Sequence, residues 1–391
     1  MAVYAAVITG KGTGAIATIQ VVGEKAHEVI SRIFKPASSR QQIPQVGQVA
    51  LGEITGGVST IDQVMVACEA IGTFAINCHG NPIIVEAIMD LLRCQGVALV
   101  SAEQFLTKAF ADGCANTIEL EAKLAQLKAK TIQGTKLIQN QIRGGLNETA
   151  SNWLKNIDRI SVDQIARQAA KIILQSKIAG LIIHGCTIVL VGPVNSGKST
   201  LLNCLAGREK AIVADLAGTT RDWVQGQCTI GPLFLTLIDT AGLQQTVAAE
   251  GDISRAAQLK TVEMLDRAEV LLLVLDNSRF AGQVSAELLE MLRDKKVVTV
   301  LNKSDLPGEF DIPSLPDDLR HAVRTSAKFG TGIDDLKQSI LRVASVADFT
   351  LDTPIAFTDR QGNLLERLTT IRSSRDAASI TTELLRGSLQ V

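Results

Sequence analysis

The feature that most constrains this chain is the apolar run Thr187-Ile188-Val189-Leu190-Val191. It breaks into Gly192-Pro193-Val194-Asn195-Ser196-Gly197-Lys198-Ser199 and then into the helix-like Thr200-Leu201-Leu202-Asn203-Cys204-Leu205-Ala206. Strand, glycine-bearing loop and helix in that order form a phosphate cradle. The glycines let the backbone curl so that several N–H groups converge on one phosphate chain. Lys198 reaches the terminal phosphates, and the Ser199 hydroxyl, with Thr200 next to it, faces a magnesium ion. Alone, such a pattern also occurs in glycine turns that bind nothing, so the rest of the chain must decide.

Four further segments follow in order. Gly218-Thr219-Thr220-Arg221-Asp222 places a hydroxyl, Thr220, that completes a magnesium site only while a γ-phosphate is present, which makes it a candidate switch. Asp239-Thr240-Ala241-Gly242 ends the apolar run Leu233 to Ile238; its aspartate suits the outer magnesium shell, and Gly242 offers an N–H to the γ-phosphate. Asn302-Lys303-Ser304-Asp305 follows the strand-like run from Val297, and the Asp305 carboxylate can accept two hydrogen bonds from the edge of guanine that adenine cannot supply. Thr325-Ser326-Ala327-Lys328 can offer the Ala327 N–H to the guanine carbonyl oxygen. Each piece alone reads as an ordinary turn. Five in this order point to an enzyme that binds GTP and GDP and hydrolyses GTP.

Two residues refine the mechanism. The position after Asp239-Thr240-Ala241-Gly242, where a glutamine orients the attacking water in Ras-type switches, is Leu243, which cannot hydrogen-bond water. Within the phosphate loop, Asn195 carries a side-chain carbonyl that could hold a potassium ion beside the β- and γ-phosphates. The segment Ala214-Asp215-Leu216-Ala217 could close over that ion with the Ala214 and Leu216 carbonyls, and Thr219 with it. Such a cation supplies the charge of an arginine finger, an effect of about 10³ to 10⁵ in rate.

The chain has 391 residues, enough for two or three domains. A net charge of −1 announces no strong field for nucleic acid, so any RNA contact is local or comes through a partner, and aromatics at 3% argue against a base-stacking platform. Seven scattered cysteines with no C-x-x-C pair read as reduced thiols of a cytoplasmic protein. No signal-peptide pattern is expected at the N-terminus, and no stretch reaches the ~18 apolar residues of a membrane span. Leu181 to Val191 reads as a linker and a buried strand.

The fold class expected is an α/β P-loop GTPase domain, with a mostly parallel sheet and helices on both faces, inserted in an α-helical domain, plus a small N-terminal α+β domain. Short β-like runs separated by glycine turns fill residues 1–112. Helical spacing covers 113–184, with Leu120, Leu124 and Leu127 and later Trp153, Ile157 and Ile160; it resumes over 346–391 with Leu364, Leu368, Ile371, Ile380 and Leu384. The GTPase module then occupies 185–345, and the late helices pack on the early ones.

This order, together with Asn195, Gly218 to Asp222 and Asp239 to Leu243, resembles the tRNA-modification GTPases of the MnmE/TrmE type over nearly the full length. The Gly10 to Gly23 turn and β-run, the Cys78-His79-Gly80-Asn81-Pro82 turn and the Phe105 to Phe110 stretch look like diverged counterparts of family segments. The resemblance implies a homodimer built through the N-terminal domains, GTPase modules that meet when potassium and GTP bind, and a flavin-dependent partner. With that partner the family modifies the wobble uridine of tRNA using a folate-borne one-carbon unit.

Three departures accompany the match. The family's folate pocket uses an arginine where this chain has Gln20 and a glutamate where it has Ala75, and an amide and a methyl group replace neither. This makes 5-formyltetrahydrofolate a doubtful cofactor. The family's C-x-G-K tail is not matched by Gly387-Ser388-Leu389-Gln390-Val391. Its water-orienting glutamate has Glu250 as the nearest counterpart, although Ala248 to Asp252 also aligns with an alanine there. A rival reading follows: a GTP-binding interaction protein, a scaffold or ribosome-associated switch, that has lost folate-dependent tRNA modification.

Overall fold

The computed structural model describes residues 3–9, 14–38, 42–56, 59–111, 116–207, 224–239, 264–280 and 282–387. They form two compact units that divide after Ala115.

The first unit is a seven-stranded sheet with three helices. Its strands are β1 (Tyr4–Val7), β2 (Ile16–Val22), β3 (Phe34–Pro36), β4 (Val49–Gly56), β5 (Ser59–Ala70), β6 (Thr73–His79) and β7 (Ala98–Leu99), in the order β3-β4-β5-β6-β2-β1-β7. The helices are α1 (Ala26–Ile33), α2 (Pro82–Cys94) and α3 (Ala102–Ala111). Alternation sorts the side chains: Ile19, Val21, Val64, Val66, Phe74 and Ile76 join α1 and α2 in one core. The other face keeps Leu51 and Met65, cross-strand partners, exposed. The Cys78 to Pro82 turn starts α2, whose N-cap Asn81 accepts from the Ile83 N–H and whose first residue is proline. Gln20 and Ala75, expected at the family's folate positions, face each other across β2 and β6.

In the second unit, four helices come first: α4 (Thr117–Gln126), α5 (Ile132–Arg143), α6 (Gly145–Lys155) and α7 (Val162–His184). Leu120 is buried, but Leu127 lies at the C-cap of α4 and is 60% exposed. Ile157 and Ile160 fall beyond the end of α6, in the turn before α7, and still pack on the bundle core. Leu181 to His184, expected as a linker, is the last turn of α7. The buried α7 stripe of Ile165, Ala169, Ile172, Ala179, Ile182 and Ile183, at helical spacings of three, four and seven up to Ile182, explains why the helix continues that far.

The GTPase sheet follows: β8 (Cys186–Val191), helix α8 (Lys198–Ala206), β9 (Val224–Ile230), β10 (Leu233–Asp239), β11 (Val270–Asp276), α9 (Ala286–Leu292), β12 (Val297–Asn302), β13 (Ala322–Arg324) and α10 (Ile333–Val343). Strand order is β13-β12-β11-β8-β10-β9, with only β9 antiparallel to its neighbour. Both faces are covered at the centre of the sheet, so β8, β11 and β12 are near-continuous apolar runs. Val270, Leu272 and Val274 of β11 join α8 and α10 on one face, while Leu271, Leu273 and Leu275 join Leu292 of α9 on the other.

Two last helices, α11 (Asp359–Thr369) and α12 (Ser374–Arg386), return to the first four. Their Leu364, Leu368, Ile380 and Leu384 share one core with Ile118, Leu137, Trp153 and Ile172, so the GTPase module is an insertion in the bundle. At the junction, consecutive residues of α7 part company: Ile182 enters the core of the GTPase sheet and Ile183 that of the bundle.

A buried carboxylate ties this closure together. Glu121 of α4, 3% exposed, accepts from Arg360 Nε and Nη2 at 2.8 Å each, from Gln361 Nε2 at 2.7 Å and from Thr358 Oγ1 at 2.9 Å. The same guanidinium donates to the Glu383 and Leu384 carbonyls of α12. Removing one partner of such a pair strands the other, at a cost of about 3 to 5 kcal/mol. Glu121→Ala is therefore expected to lower unfolding free energy by that amount in urea titrations, and Glu121→Gln by less.

Candidate active site

Parallel strands deliver their carboxyl ends to one edge of the sheet, where ligands of open α/β folds bind. Asp239 pairs in register with Leu190 near the end of β8, and Asp276 with Asn302, where β11 and β12 run three residues past the Val191–Leu273 pair that ends β8. Gly192 to Gly197 leaves the end of β8 and turns into α8. Two positions there admit only glycine. Gly192 has φ +136°, and a Cβ on it would sit 2.2 Å from the Val274 carbonyl oxygen; Gly197 has φ +91°, and its Cβ would sit 2.3 Å from Asn302 Nδ2.

Asn302, 2% exposed, is the hub of the loops. Its Nδ2 donates to the Ser196 carbonyl at 2.9 Å, and its Oδ1 accepts from the Ala327 N–H at 3.0 Å and from Thr325 Oγ1 at 3.4 Å. The Ala327 N–H, expected to face a guanine oxygen, is thus directed at Asn302 instead. Asp305 lies at the rim, oriented by Ser326 Oγ, which donates to its Oδ1 at 2.6 Å. Lys328 follows on the same loop, its ammonium 5.1 Å from the Phe329 ring centroid.

On the phosphate side, the buried Lys198 ammonium donates to the Gly192 and Pro193 carbonyls at 2.9 and 2.8 Å. Burial pushes its pKa down, and the Asp239 charge opposes this. Ser199 Oγ donates to Asp239 Oδ2, so a hydroxyl and a carboxylate converge, a donor set that suits a small hard cation. Thr200 continues the first turn of α8. Asn195 adopts φ +64°, and its carbonyl accepts from Lys303 Nζ at 2.6 Å. Ala214, Leu216, Gly218, Thr219, Thr220, Thr240, Ala241, Gly242 and Glu250 lie outside the described residues.

One group went unnoticed in the sequence. Asp276 ends β11 as Asp239 ends β10, and its buried carboxylate accepts from Lys303 Nζ at 2.6 Å. An aspartate closing an apolar strand was the available signal.

A phosphate loop at the head of a parallel strand, with base-reading loops after β12 and β13 of the same sheet, defines a GTP-binding P-loop GTPase. Residues 187–303 match the family described as 50S ribosome-binding GTPase, and residues 3–114 match the family described as GTP-binding protein TrmE N-terminus. The chain belongs to the family of tRNA modification GTPases MnmE. It is 30% identical to the MnmE of Acetivibrio thermocellus over 401 aligned positions, covering 93% of this chain and 86% of that protein. With the MnmE of Bacillus mycoides it shares 31% identity over 86% of this chain and 80% of the relative, and with that of Endomicrobium trichonymphae 30% over 88% and 82%. Among the described residues no helix is long and apolar enough to cross a membrane.

Gly197→Ala is expected to cost roughly 2 kcal/mol, combining a left-handed residue with displacement of Asn302. Denaturation midpoints and GDP affinity measured by titration should both fall.

Proposed function

We propose that this GTPase is potassium-stimulated and cytoplasmic, and that it works as a homodimer whose GTPase modules open and close with the nucleotide cycle. The observation that carries the catalytic part is the convergence of Lys198, Ser199 and Asp239 at the head of β8, with Asn302 at the end of β12 reaching the phosphate loop and Asp305 in the loop that follows it. In this reading Gly192 to Thr200 cradle the phosphates. Ser199, Asp239 and Thr220 hold magnesium; Asn195, Thr219 and the Ala214 and Leu216 carbonyls hold potassium; Gly242 and Glu250 serve the γ-phosphate and the water. Asn302, Lys303, Asp305, Ser326 and Lys328 read guanine, with Ala327 bracing Asn302. Leu243 cannot orient water, and a cation beside the phosphates supplies charge where an arginine finger is lacking.

Dimerisation through the N-terminal unit is supported by the exposed Val49, Leu51 and Met65, which share one face of adjacent strands β4 and β5. The relatives' name supports a role in tRNA modification; action on the wobble uridine with a flavin-dependent partner is part of the same proposal.

A second reading draws on the N-terminal unit. Gln20 Nε2 donates to Glu69 Oε2 at 2.7 Å, and Ala75, opposite Gln20, is 3% exposed. An amide already bound to a carboxylate and a buried methyl do not fit 5-formyltetrahydrofolate, so no step is assigned to it. These residues favour a GTP-driven assembly or scaffold role that has dropped the one-carbon chemistry. Wobble-uridine analysis of tRNA from a deletion strain separates the two readings: a changed profile supports modification, an unchanged one the scaffold.

Hydrolysis in potassium buffer is expected to exceed that in sodium at equal ionic strength by at least about 10-fold, a floor set below the ~10³ to 10⁵ of charge-supplying fingers. Equal rates would remove the cation from the mechanism. Asp305→Asn should weaken GTP binding by roughly 3 kcal/mol, two charge-assisted hydrogen bonds, and shift preference toward xanthosine triphosphate, whose 2-oxo group suits an amide donor.

A further inference from the structure

We propose that Asp276 is a positioning residue for guanine-nucleotide binding, acting through Lys303 to hold the base-reading loop and the phosphate loop in register.

Every acceptor on this carboxylate is engaged. Oδ1 accepts from the Ser278 N–H at 2.9 Å and from Ser278 Oγ at 2.7 Å. Oδ2 accepts from Lys303 Nζ at 2.6 Å, with Arg279 Nε 3.6 Å away. The backbone on both sides is pinned by one amide: the Asp276 N–H donates to Gln283 Oε1 at 2.8 Å, and Gln283 Nε2 returns to the Asp276 carbonyl at 2.8 Å. The side chain is 3% exposed, so it is placed to orient a neighbour and not to meet a ligand itself. Burial alone would push its pKa up; hydrogen bonds from Lys303 and Ser278 outweigh this and hold it below the ordinary carboxylate range.

Lys303 is the means of action. Its ammonium spans the Asp276 carboxylate and the Asn195 carbonyl, each at 2.6 Å. Both residues bridged in this way along the site, Lys303 at φ +63° and Asn195 at φ +64°, are non-glycine residues in the left-handed region. That conformation is disfavoured for residues with a Cβ, so something outside the local sequence must hold it. A buried anion supplies the hold: it fixes the lysine, and the lysine fixes the phosphate loop at Asn195. Base reading and phosphate binding are thereby set in one geometry before nucleotide arrives, which lowers the ordering cost of binding. The inference needs the guanine-nucleotide site but not the potassium ion.

The test uses the full-length protein carrying Asp276→Asn, which keeps the shape and removes the charge. Loss of one charge-assisted anchor is expected to raise the GDP dissociation rate, followed by stopped-flow fluorescence of a labelled GDP, and KM for GTP by about tenfold. The change in kcat should stay within about twofold, since the loss falls on binding. In a double-mutant cycle, Asp276→Asn combined with Lys303→Ala should be no worse than Lys303→Ala alone. Unchanged dissociation and KM in a folded Asp276→Asn protein would overturn the proposal. So would a fall in kcat without a change in KM, or full additivity with Lys303→Ala. If Asp276→Asn fails to fold, Ser278→Ala loosens the same carboxylate while keeping its charge; a smaller rise in both quantities supports the proposal, and no rise refutes it.

Discussion

The amide of Asn302 is the contact on which the nucleotide site depends. A buried primary amide must satisfy both its carbonyl and its N–H groups. Here each end is committed to a different loop: Nδ2 to the Ser196 carbonyl of the phosphate loop and Oδ1 to the Ala327 N–H of the last loop. Loops that carry function are held only as well as their cross-contacts allow. The absent side chain of Gly197 is what lets the amide come this close. Around this node the parallel strands deliver their carboxyl ends to one edge, with β11 and β12 reaching three residues past β8.

Much of this was legible in the sequence because it is local. A strand, a glycine loop and a helix follow one another within twenty residues, Thr187 to Ala206, and each carries its own signature of composition and period. The apolar runs that became β10 and β12 read as strands for the same reason. What was missed depends on contacts between distant parts of the chain. Nothing near Asp276 says that Lys303 lies against it, 27 residues away. The Ala327 N–H was assigned to the base because its partner, the Asn302 amide, is an equally distant choice. Helix ends also escaped periodicity: Leu127 keeps the spacing of its stripe yet falls at a cap, while Ile157 and Ile160 reach the core from a turn.

The N-terminal unit separates a core face from an open face along the same strands. Gln20 and Ala75 are direct cross-strand partners, so both departures fall on one spot of the sheet and not on two. Substitution there leaves the opposite face untouched: Ile19, Val21, Phe74 and Ile76 still form the core, because neighbouring residues on a strand point to opposite sides. The framework residues and the residues open to change are thus interleaved along the same strands.

At the end of α7, Ile182 and Ile183 commit adjacent backbone units to two different cores. Lys130 donates its N–H to the Ile183 carbonyl and Thr131 Oγ1 donates to that of Ile182, so this turn is fastened on its bundle side as well. Two residues apart in rotation leave no slack between a helix and the strand that follows it through Gly185. The strand is β8, and the phosphate loop is its direct continuation. A displacement of the phosphate loop along its strand axis would therefore arrive at the bundle as a push on a rod, not as the swing of a tethered module.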